Sequence, residues 1–294
     1  MAALLRVAEI MFPVLALMGA GFTYGRWRKL DPRFITDLIL FLMGPALMFD
    51  ALARQRFDAG ELIRAMGFSL AIQLIPGAAA LAVRRAAGIR SRAFVPSVMI
   101  MNTVSLPYPL ALLAFGEAGL AQVVLLSIPN VFIVFTLGIM LHGGRSQTME
   151  PLRMPSLYAS GAGILVSMLA LPVPAFLLSF THIAGRGMFP LELFALGYRL
   201  RSIRISDLRL SLFTVGLRFG LGFLTAWGIA RVFALEETAR AALFLVSCSP
   251  PAILNYIFAE RYGQEGPLAA SIVFTGTAAS LLTTPLVLLY LQLA

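Results

Sequence analysis

The stretch FVPSVMIMNTVSLPYPLALLAFG, residues 94–116, is long enough to cross a bilayer but carries polar residues and prolines at its centre. Pro107 and Pro109 each remove a backbone amide donor and clash with the preceding helical turn, so one continuous helix cannot form. The carbonyls freed near Thr103 and Ser105 need other partners, and such backbone is tolerated at membrane depth only inside protein or beside water. The stretch therefore predicts a broken membrane helix that faces a protein interior or a cavity.

A second stretch has the same design. RAALFLVSCSPPAILNYIFAE, residues 240–260, places Ser249, Pro250, Pro251 and Asn255 within an otherwise apolar run. Two interrupted apolar spans, one in each half of a chain, are typical of the binding site of a secondary transporter. We therefore interpret the protein as a membrane transporter.

The composition excludes several other classes. The 294 residues are 59% hydrophobic and 13% charged, which is typical of a polytopic membrane protein and not of a soluble domain. The net charge of +9 indicates loop orientation and contact with anionic lipid in the bilayer, with no nucleic-acid partner. The chain holds one cysteine and two separated histidines, so we expect no disulfide, metal site or cofactor.

Enzyme motifs are missing from the sequence. Neither HExxH nor GxSxG occurs, and no histidine lies in a fixed pattern with a nucleophile. We therefore expect no enzyme. A channel would share a pore with a transporter but would not need two broken spans.

Apolar runs of about 20 residues predict ten membrane spans. The loops after odd-numbered spans carry most of the 23 basic residues, so the positive-inside rule puts these loops in the cytoplasm and both termini outside. We expect a multi-pass protein of the plasma membrane, here a bacterial inner membrane. The predicted spans are 7–25, 33–53, 62–83, 94–116, 119–141, 155–172, 175–198, 210–233, 239–260 and 267–292.

Five spans in each half predict two inverted repeats, because an odd number of spans reverses the orientation of a tandem copy. FGEAGLAQ at 115–122 is similar to YGQEGPLAA at 262–270, and Pro45 has a counterpart in Pro190 at nearly the same offset. The predicted organisation is a first repeat over 1–141, a cytoplasmic connection over 142–154 and a second repeat over 155–294.

Motifs spread over nearly the whole chain resemble the auxin efflux carrier family of membrane transporters. They include PVLALMGAGFTYGR at 13–26, LFLMGPALMFDAL at 40–52, MNTVSLPYPLALLAFGEAGLA at 101–121 and SPPAILNYIFAERYGQEGPLAASIVF at 249–274. The resemblance implies an all-α fold of ten helices, in which the broken fourth and ninth helices cross. It also implies a scaffold of helices one, two, six and seven, often forming a homodimer, beside a mobile transport unit of the elevator type.

The implied function is efflux or exchange of a small organic anion such as a dicarboxylate by alternating access. The seventh span departs from the family pattern, because HIAGRGMFPLELF carries Arg186 and Glu192 near its proline. The long cytoplasmic loop of plant auxin exporters is absent, so a plant hormone role is not expected. The alternatives are a sodium- or proton-coupled symporter with a fold like that of bile acid transporters, and an anion channel.

The candidate site residues follow from these patterns. A role in satisfying the broken backbone is the alternative for Asn102 and the second break, and a hydrogen bond to a neighbouring helix is the alternative for Asn255. Pairing with a carboxylate such as Glu192 is the alternative for Arg186. Glu192 and Asp50 are the candidates for ion coupling. The predicted helix-breaking residues are Pro45, Pro107, Pro109, Pro190, Pro250 and Pro251. The predicted substrate contacts are Asn102, Thr103, Ser105, Pro107, Ser249, Pro250, Asn255, Arg186 and His182.

Overall fold

A computed structural model describes residues 2–144, 151–201 and 205–293, and the described chain is all-helical apart from one isolated β-bridge. Residues 145–150 of the predicted connection at 142–154 lie outside the described residues. The long helices are α1 (Ala2–Trp27), α2 (Pro32–Leu38 through Ile39–Met43 to Gly44–Ala53), α3 (Ala59–Ala86), α5 (Pro107–Ile133, continued through Val134–Gly138 and Ile139–Leu141), α9 (Leu208–Val232) and α12 (Gly266–Leu293). The shorter helices are α4 (Phe94–Met99), α6 (Pro155–Leu169), α7 (Ala175–Arg186), α8 (Met188–Leu200), α10 (Glu237–Ser247) and α11 (Ile253–Arg261).

Six of these helices are long and apolar enough to cross a membrane, by length and composition. They are α1, most of α2, α3, α5 with its continuation, α9 and α12. This confirms the prediction of a polytopic all-α membrane protein. The remaining predicted spans correspond to α6, to α7 with α8, to α10 with α11 and, for 94–116, to α4 with the first part of α5.

Prolines explain where the helices are interrupted. Pro45 cannot donate to the carbonyl of Phe41, and the preceding residues Ile39–Met43 form a wider π turn before the helix resumes at Gly44. Pro190 likewise cannot donate to the carbonyl of Arg186, where α7 ends. Within α5 the chain bends at Gly116, whose φ of 67° lies in the region that favours glycine.

Two irregular segments meet at the centre of the fold. The first break, residues 100–106, separates α4 from α5, and the second break, residues 248–252, separates α10 from α11. Met101 and Pro251 form an antiparallel bridge between the breaks. The amide of Asn102 donates to the carbonyl of Pro250 at 2.8 Å, and the amide of Ala252 donates to the carbonyl of Ile100 at 3.0 Å. The two breaks therefore satisfy part of each other's backbone.

The helices pack in two groups. In the first group α2 packs on α6 and α7, and α1 packs on α8. In the second group α3 packs on α4, α5 and α9, while α12 packs on α9 and α11 and α10 packs on α5. A Cβ on Gly21 of α1 would overlap the carbonyl of Phe194, and one on Gly197 of α8 would overlap that of Met18. Glycine at both positions lets α1 and α8 touch through their backbones.

Basic loops lie together at one end of the molecule. The amide of Leu30, which follows α1, donates to the hydroxyl of Tyr198 in α8 at 2.9 Å. Ser91, which follows α3, donates to the carboxylate of Glu265, which follows α11, at 2.5 Å. At another place the amide of Phe57 donates to Ser167 near the end of α6. Loops that the sequence assigns to the same side of the membrane therefore contact one another.

Candidate functional site

Asn102 organises the first break. Its side-chain oxygen accepts hydrogen bonds from the amides of Val104 and Ser105 at 3.3 and 3.1 Å, so it caps the irregular backbone that the prolines create. Its side-chain amide donates to the hydroxyl of Ser105 at 2.9 Å. Asn102 is half-buried. The alternative role of Asn102, in satisfying the broken backbone, is therefore present in the structure.

Ser105 links the first break to α8. It is buried, and its hydroxyl donates to the carboxylate of Glu192 at 2.6 Å. Within the described residues no lysine or arginine forms an ion pair with Glu192. Glu192 therefore ends a hydrogen-bonded chain that runs through Ser105 to Asn102 and joins the two packing groups.

Thr103 points to a different neighbour. Its hydroxyl accepts a hydrogen bond from the side-chain amide of Asn130 in α5 at 3.2 Å, and both residues are buried. The side-chain oxygen of Asn130 has no hydrogen-bond partner among the described residues. A buried acceptor without a partner is costly, so this oxygen is available to a donor that enters the site.

Asn255 holds the second break against the first. Its side chain is fully buried and donates to the carbonyl of Ile100 at 3.0 Å. Its side-chain oxygen, like that of Asn130, has no partner in the described part of the chain. Ser249 is also buried, but its hydroxyl donates to the carbonyl of Leu245 in its own helix. Asn255, in the first turn of α11 directly after the second break, is thus the side chain that reaches across to the first break.

The prolines take distinct backbone positions around the crossing. Pro107 and Pro109 lie in the first turn of α5, where a missing amide donor is tolerated. Pro250 offers its carbonyl to Asn102, and Pro251 pairs with Met101. A Cβ on Gly276 of α12 would press on the ring of Pro251, so α12 packs closely against the second break.

Arg218 of α9 contacts the backbone beside the two breaks. Its side chain is fully buried and donates to the carbonyls of Val98, Ser247 and Ser249 at 3.1, 2.5 and 3.3 Å. It also contacts the sulfur of Met101 at 2.9 Å. A charge in a membrane span is expected to snorkel or pair near the end of its own helix, but Arg218 lies in the middle of α9 and bonds to the ends of α4 and α10.

His182 and Asp50 form a second polar cluster, between α7 and α2. Asp50 is 2% exposed, and its carboxylate accepts from Arg54 at 2.7 Å, from Thr181 at 3.3 Å and from the ring of His182 at 3.0 Å. None of these side chains bonds to a residue of either break within the described chain. In this conformation the predicted substrate contact His182 and the predicted coupling residue Asp50 therefore bind each other.

Arg186 also finds a partner away from the breaks. It forms an ion pair with Glu117, which follows the bend at Gly116, and its guanidinium lies 5.7 Å from the ring centre of Phe189. The expected pairing with a carboxylate is present, but the partner is Glu117 and not Glu192. The pair joins α7 to the segment that links the two parts of α5, so it bridges the two packing groups.

The second half of the chain matches a known family of membrane proteins. The family model described as membrane transport protein matches residues 144–288, the second half of the chain. The match covers just under half of the 294 residues, so it shows that the second half of the chain is similar to this family. The match supports the resemblance to auxin efflux carriers that the sequence motifs carry.

Two archaeal relatives extend the likeness beyond the matched half. An uncharacterised transporter of Methanothermobacter thermautotrophicus is 24% identical over 292 residues, which cover 95% of this transporter and 96% of the relative. An uncharacterised transporter of Methanocaldococcus jannaschii is 26% identical over 201 residues. That alignment covers 64% of each chain, so the transporter spans just under two thirds of this second relative.

Two hollows in the transporter's surface lie away from the crossing. One is lined by Ile89, Arg90, Ser91, Asp207, Arg209, Leu210, Phe213, Glu265 and Leu268, and the other by Arg84, Ile89, Arg90, Arg92, Met140, Leu141 and Gly143. Both lie among the basic loops. In the described residues no cluster of three or more His, Cys, Asp or Glu could hold a metal ion. The crossing itself is closed in this conformation, because Ser105, Ser249 and Asn255 are buried.

Sequence reasoning missed three residues of the transporter's polar network. Glu117 occurs in the sequence analysis only within motifs such as FGEAGLAQ, and Asn130 and Arg218 are not among the predicted site residues. A polar or charged side chain within a membrane span is costly, so the sequence predicts that each of these three residues has a polar partner. The identity of each partner depends on which helix faces meet.

Proposed function

We propose that the protein is a secondary active transporter that moves a small organic anion across the membrane by alternating access. The observation that carries the proposal is the crossing of the two breaks, where Asn102 and Asn255 each bond to the backbone of the opposite break. Irregular backbone paired at the centre of an apolar helical protein is suited to a binding site and is poorly suited to a purely structural role.

An anionic substrate fits the N-terminal end of α11 at the crossing. Ala252, the residue before α11, supplies no side-chain cap to this helix, whereas at the start of α5 Pro107 and Pro109 have no amide and the amides of Tyr108 and Leu110 already bond to carbonyls. A helix N-terminus carries partial positive charge and free amides, which favour a carboxylate. The side-chain amide of Asn102 would release the hydroxyl of Ser105 and donate its hydrogen bond to the substrate. The unpartnered side-chain oxygen of Asn255 would accept a hydrogen bond from a hydroxyl or a protonated carboxyl group of the substrate.

The ten predicted spans and the inverted repeat belong to this proposal. We assign the group around α1, α2 and α6–α8 to a scaffold and the group around α3–α5 and α9–α12 to a mobile unit that slides or rocks against it. The hydrogen bond from Ser105 to Glu192 and the ion pair from Arg186 to Glu117 cross between these groups, so movement must break or exchange them. A homodimer through the scaffold and insertion into a bacterial inner membrane with both termini outside stay predictions.

Proton coupling through Glu192 is a candidate for the driving force. Its carboxylate faces no cationic side chain within hydrogen-bonding range in the described chain and is bonded directly to Ser105 of the first break. Protonation would remove the negative charge that strengthens the bond from Ser105 and would loosen the contact between the mobile unit and α8. A proton bound at Glu192 would thereby change the contacts that hold the crossing.

Flux measurements in proteoliposomes test the proposal. A panel of mono- and dicarboxylates should include a substrate with saturable uptake and counterflow, since counterflow separates a carrier from a channel. Asn102→Ala should reduce uptake of that substrate strongly. Ser280→Ala is the control, because Ser280 is a buried polar residue whose hydroxyl, among the described residues, bonds only to Thr277 in its own helix. Non-saturating flux without counterflow, or full uptake by Asn102→Ala, would contradict the proposal.

A further inference from the structure

The Arg218 side chain is a buried cation held by carbonyl oxygens. Its guanidinium bonds to the carbonyls of Val98, Ser247 and Ser249, and within the described residues it forms no ion pair with a carboxylate. An unpaired charge at membrane depth is costly. The three carbonyls must therefore supply the compensation that a carboxylate usually supplies.

The source of these carbonyls explains how they can do so. Val98 lies in the last turn of α4, Ser247 is the last residue of α10, and Ser249 belongs to the second break. Carbonyls in the last turn of a helix lack intrahelical partners and carry the partial negative charge of the helix dipole. Two helix C-termini directed at one point would repel each other unless a cation lay between them.

The packing of α9 brings the guanidinium to this point. Gly222 lies one turn after Arg218 on the same face of α9, and a Cβ there would overlap the carbonyl oxygen of Ser247. The contact between α9 and α10 is therefore close enough for Arg218 to reach all three carbonyls. Any larger residue at position 222 would push the two helices apart.

This arrangement has the ligands of an alkali-cation site. Oxygen donors suit hard cations, and in transporters unwound carbonyls and half-helix C-termini are where a coupling sodium ion binds. We propose that Arg218 is a tethered cation that occupies this position, so that the transporter neither binds nor requires sodium at its crossing. The inference deepens the proposed transport function, but its binding test does not depend on that function.

The first test measures thermal unfolding of the purified full-length protein in detergent. Sodium chloride, potassium chloride and choline chloride at equal ionic strength should give the wild-type protein the same Tm. Arg218→Ala should lower the Tm by several degrees, and methylguanidinium at millimolar concentration should restore part of the loss while neutral methylurea should not. Arg231→Ala is the control on the same helix, because Arg231 is exposed and contacts only the ring of Trp227 among its described neighbours.

Two further variants keep the test decisive if Arg218→Ala fails to fold. Arg218→Lys keeps a charge and should retain more stability than Arg218→Met, which keeps the volume and loses the charge. A wild-type Tm that rises specifically with sodium, or an Arg218→Met variant as stable as wild type, would overturn the proposal. In proteoliposomes with a transported acid, replacing sodium by choline should leave the uptake rate unchanged, and sodium-dependent uptake would overturn the inference while leaving the transport proposal intact.

Discussion

The amide of Asn102 donates a hydrogen bond to the carbonyl of Pro250 at 2.8 Å, and this bond joins segments from opposite halves of the chain. Each break leaves backbone groups without a partner in its own helix, and the opposite break supplies some of these partners, since the carbonyl of Pro250 accepts from Asn102 and the carbonyl of Ile100 accepts from Ala252. The two breaks therefore stabilise each other where they cross.

Cys248, the sole cysteine of the chain, lies in the second break and is 6% exposed. A membrane-permeable maleimide should label it slowly, because labelling requires the crossing to open. A transported acid should change the labelling rate in the wild-type protein and should lose this effect in Asn102→Ala. Mass spectrometry of the intact protein measures the labelled fraction, with Cys248→Ser as the blank. Labelling that is rapid and indifferent to every transported acid would argue against a site at the crossing.

Glu192→Gln should uncouple transport from protons. The amide keeps a hydrogen-bond acceptor for Ser105 but cannot exchange a proton, so a proton gradient should no longer drive uptake while substrate exchange at symmetric pH persists. Uptake into proteoliposomes with and without an imposed pH gradient measures the difference. Gradient-driven uptake that is unchanged in Glu192→Gln would assign coupling to another group.

The ion pair of Arg186 and Glu117 should contribute little to stability. The Glu117 side chain is 45% exposed, and a solvent-exposed pair contributes about 0–1 kcal/mol, well below the 3–5 kcal/mol lost on breaking a buried pair. Arg186→Gln and Glu117→Gln should therefore express normally and shift the Tm only slightly. Both should change the transport rate, because the pair bridges the two packing groups. A collapse of expression, or unchanged transport in both variants, would contradict this role.

Asp50→Asn should destabilise the contact between α2 and α7. Asp50 is buried and accepts three side-chain hydrogen bonds, and a hydrogen bond to a charged group contributes about 1.5–3 kcal/mol. The Tm in detergent should fall clearly. Asp37→Asn on the same helix is the control, since Asp37 is exposed. Equal melting temperatures for the two variants would show that the cluster is not structural.

The orientation can be tested with single cysteines in a Cys248→Ser background. Arg28 and Gln55 follow α1 and α2 and lie at loops of opposite predicted side. A membrane-impermeant maleimide added to intact cells should label Gln55→Cys and leave Arg28→Cys unlabelled. After the cells are opened, both should react. Labelling of Arg28→Cys in intact cells would reverse the predicted orientation.

The membrane class, the helical content and the positions of both breaks follow from the sequence alone. Hydrophobic run length is a property of neighbouring residues, and so is the loss of an amide donor at Pro107 or Pro250. The cap that Asn102 places on Val104 and Ser105 is equally local, since all three residues lie within one turn. These features needed no knowledge of distant contacts.

The partners of the buried charges were decided by the tertiary structure. Arg186 pairs with Glu117, Glu192 bonds to Ser105, and Arg218 bonds to carbonyls of two helices far from it in sequence. A membrane helix is apolar on most of its surface, so its sequence does not record which face meets which neighbour. Close contacts between helices, such as that of Gly222 with Ser247, determine which side of each helix faces its neighbour. The polar side chains on that side then bond to the groups that the packing brings within reach.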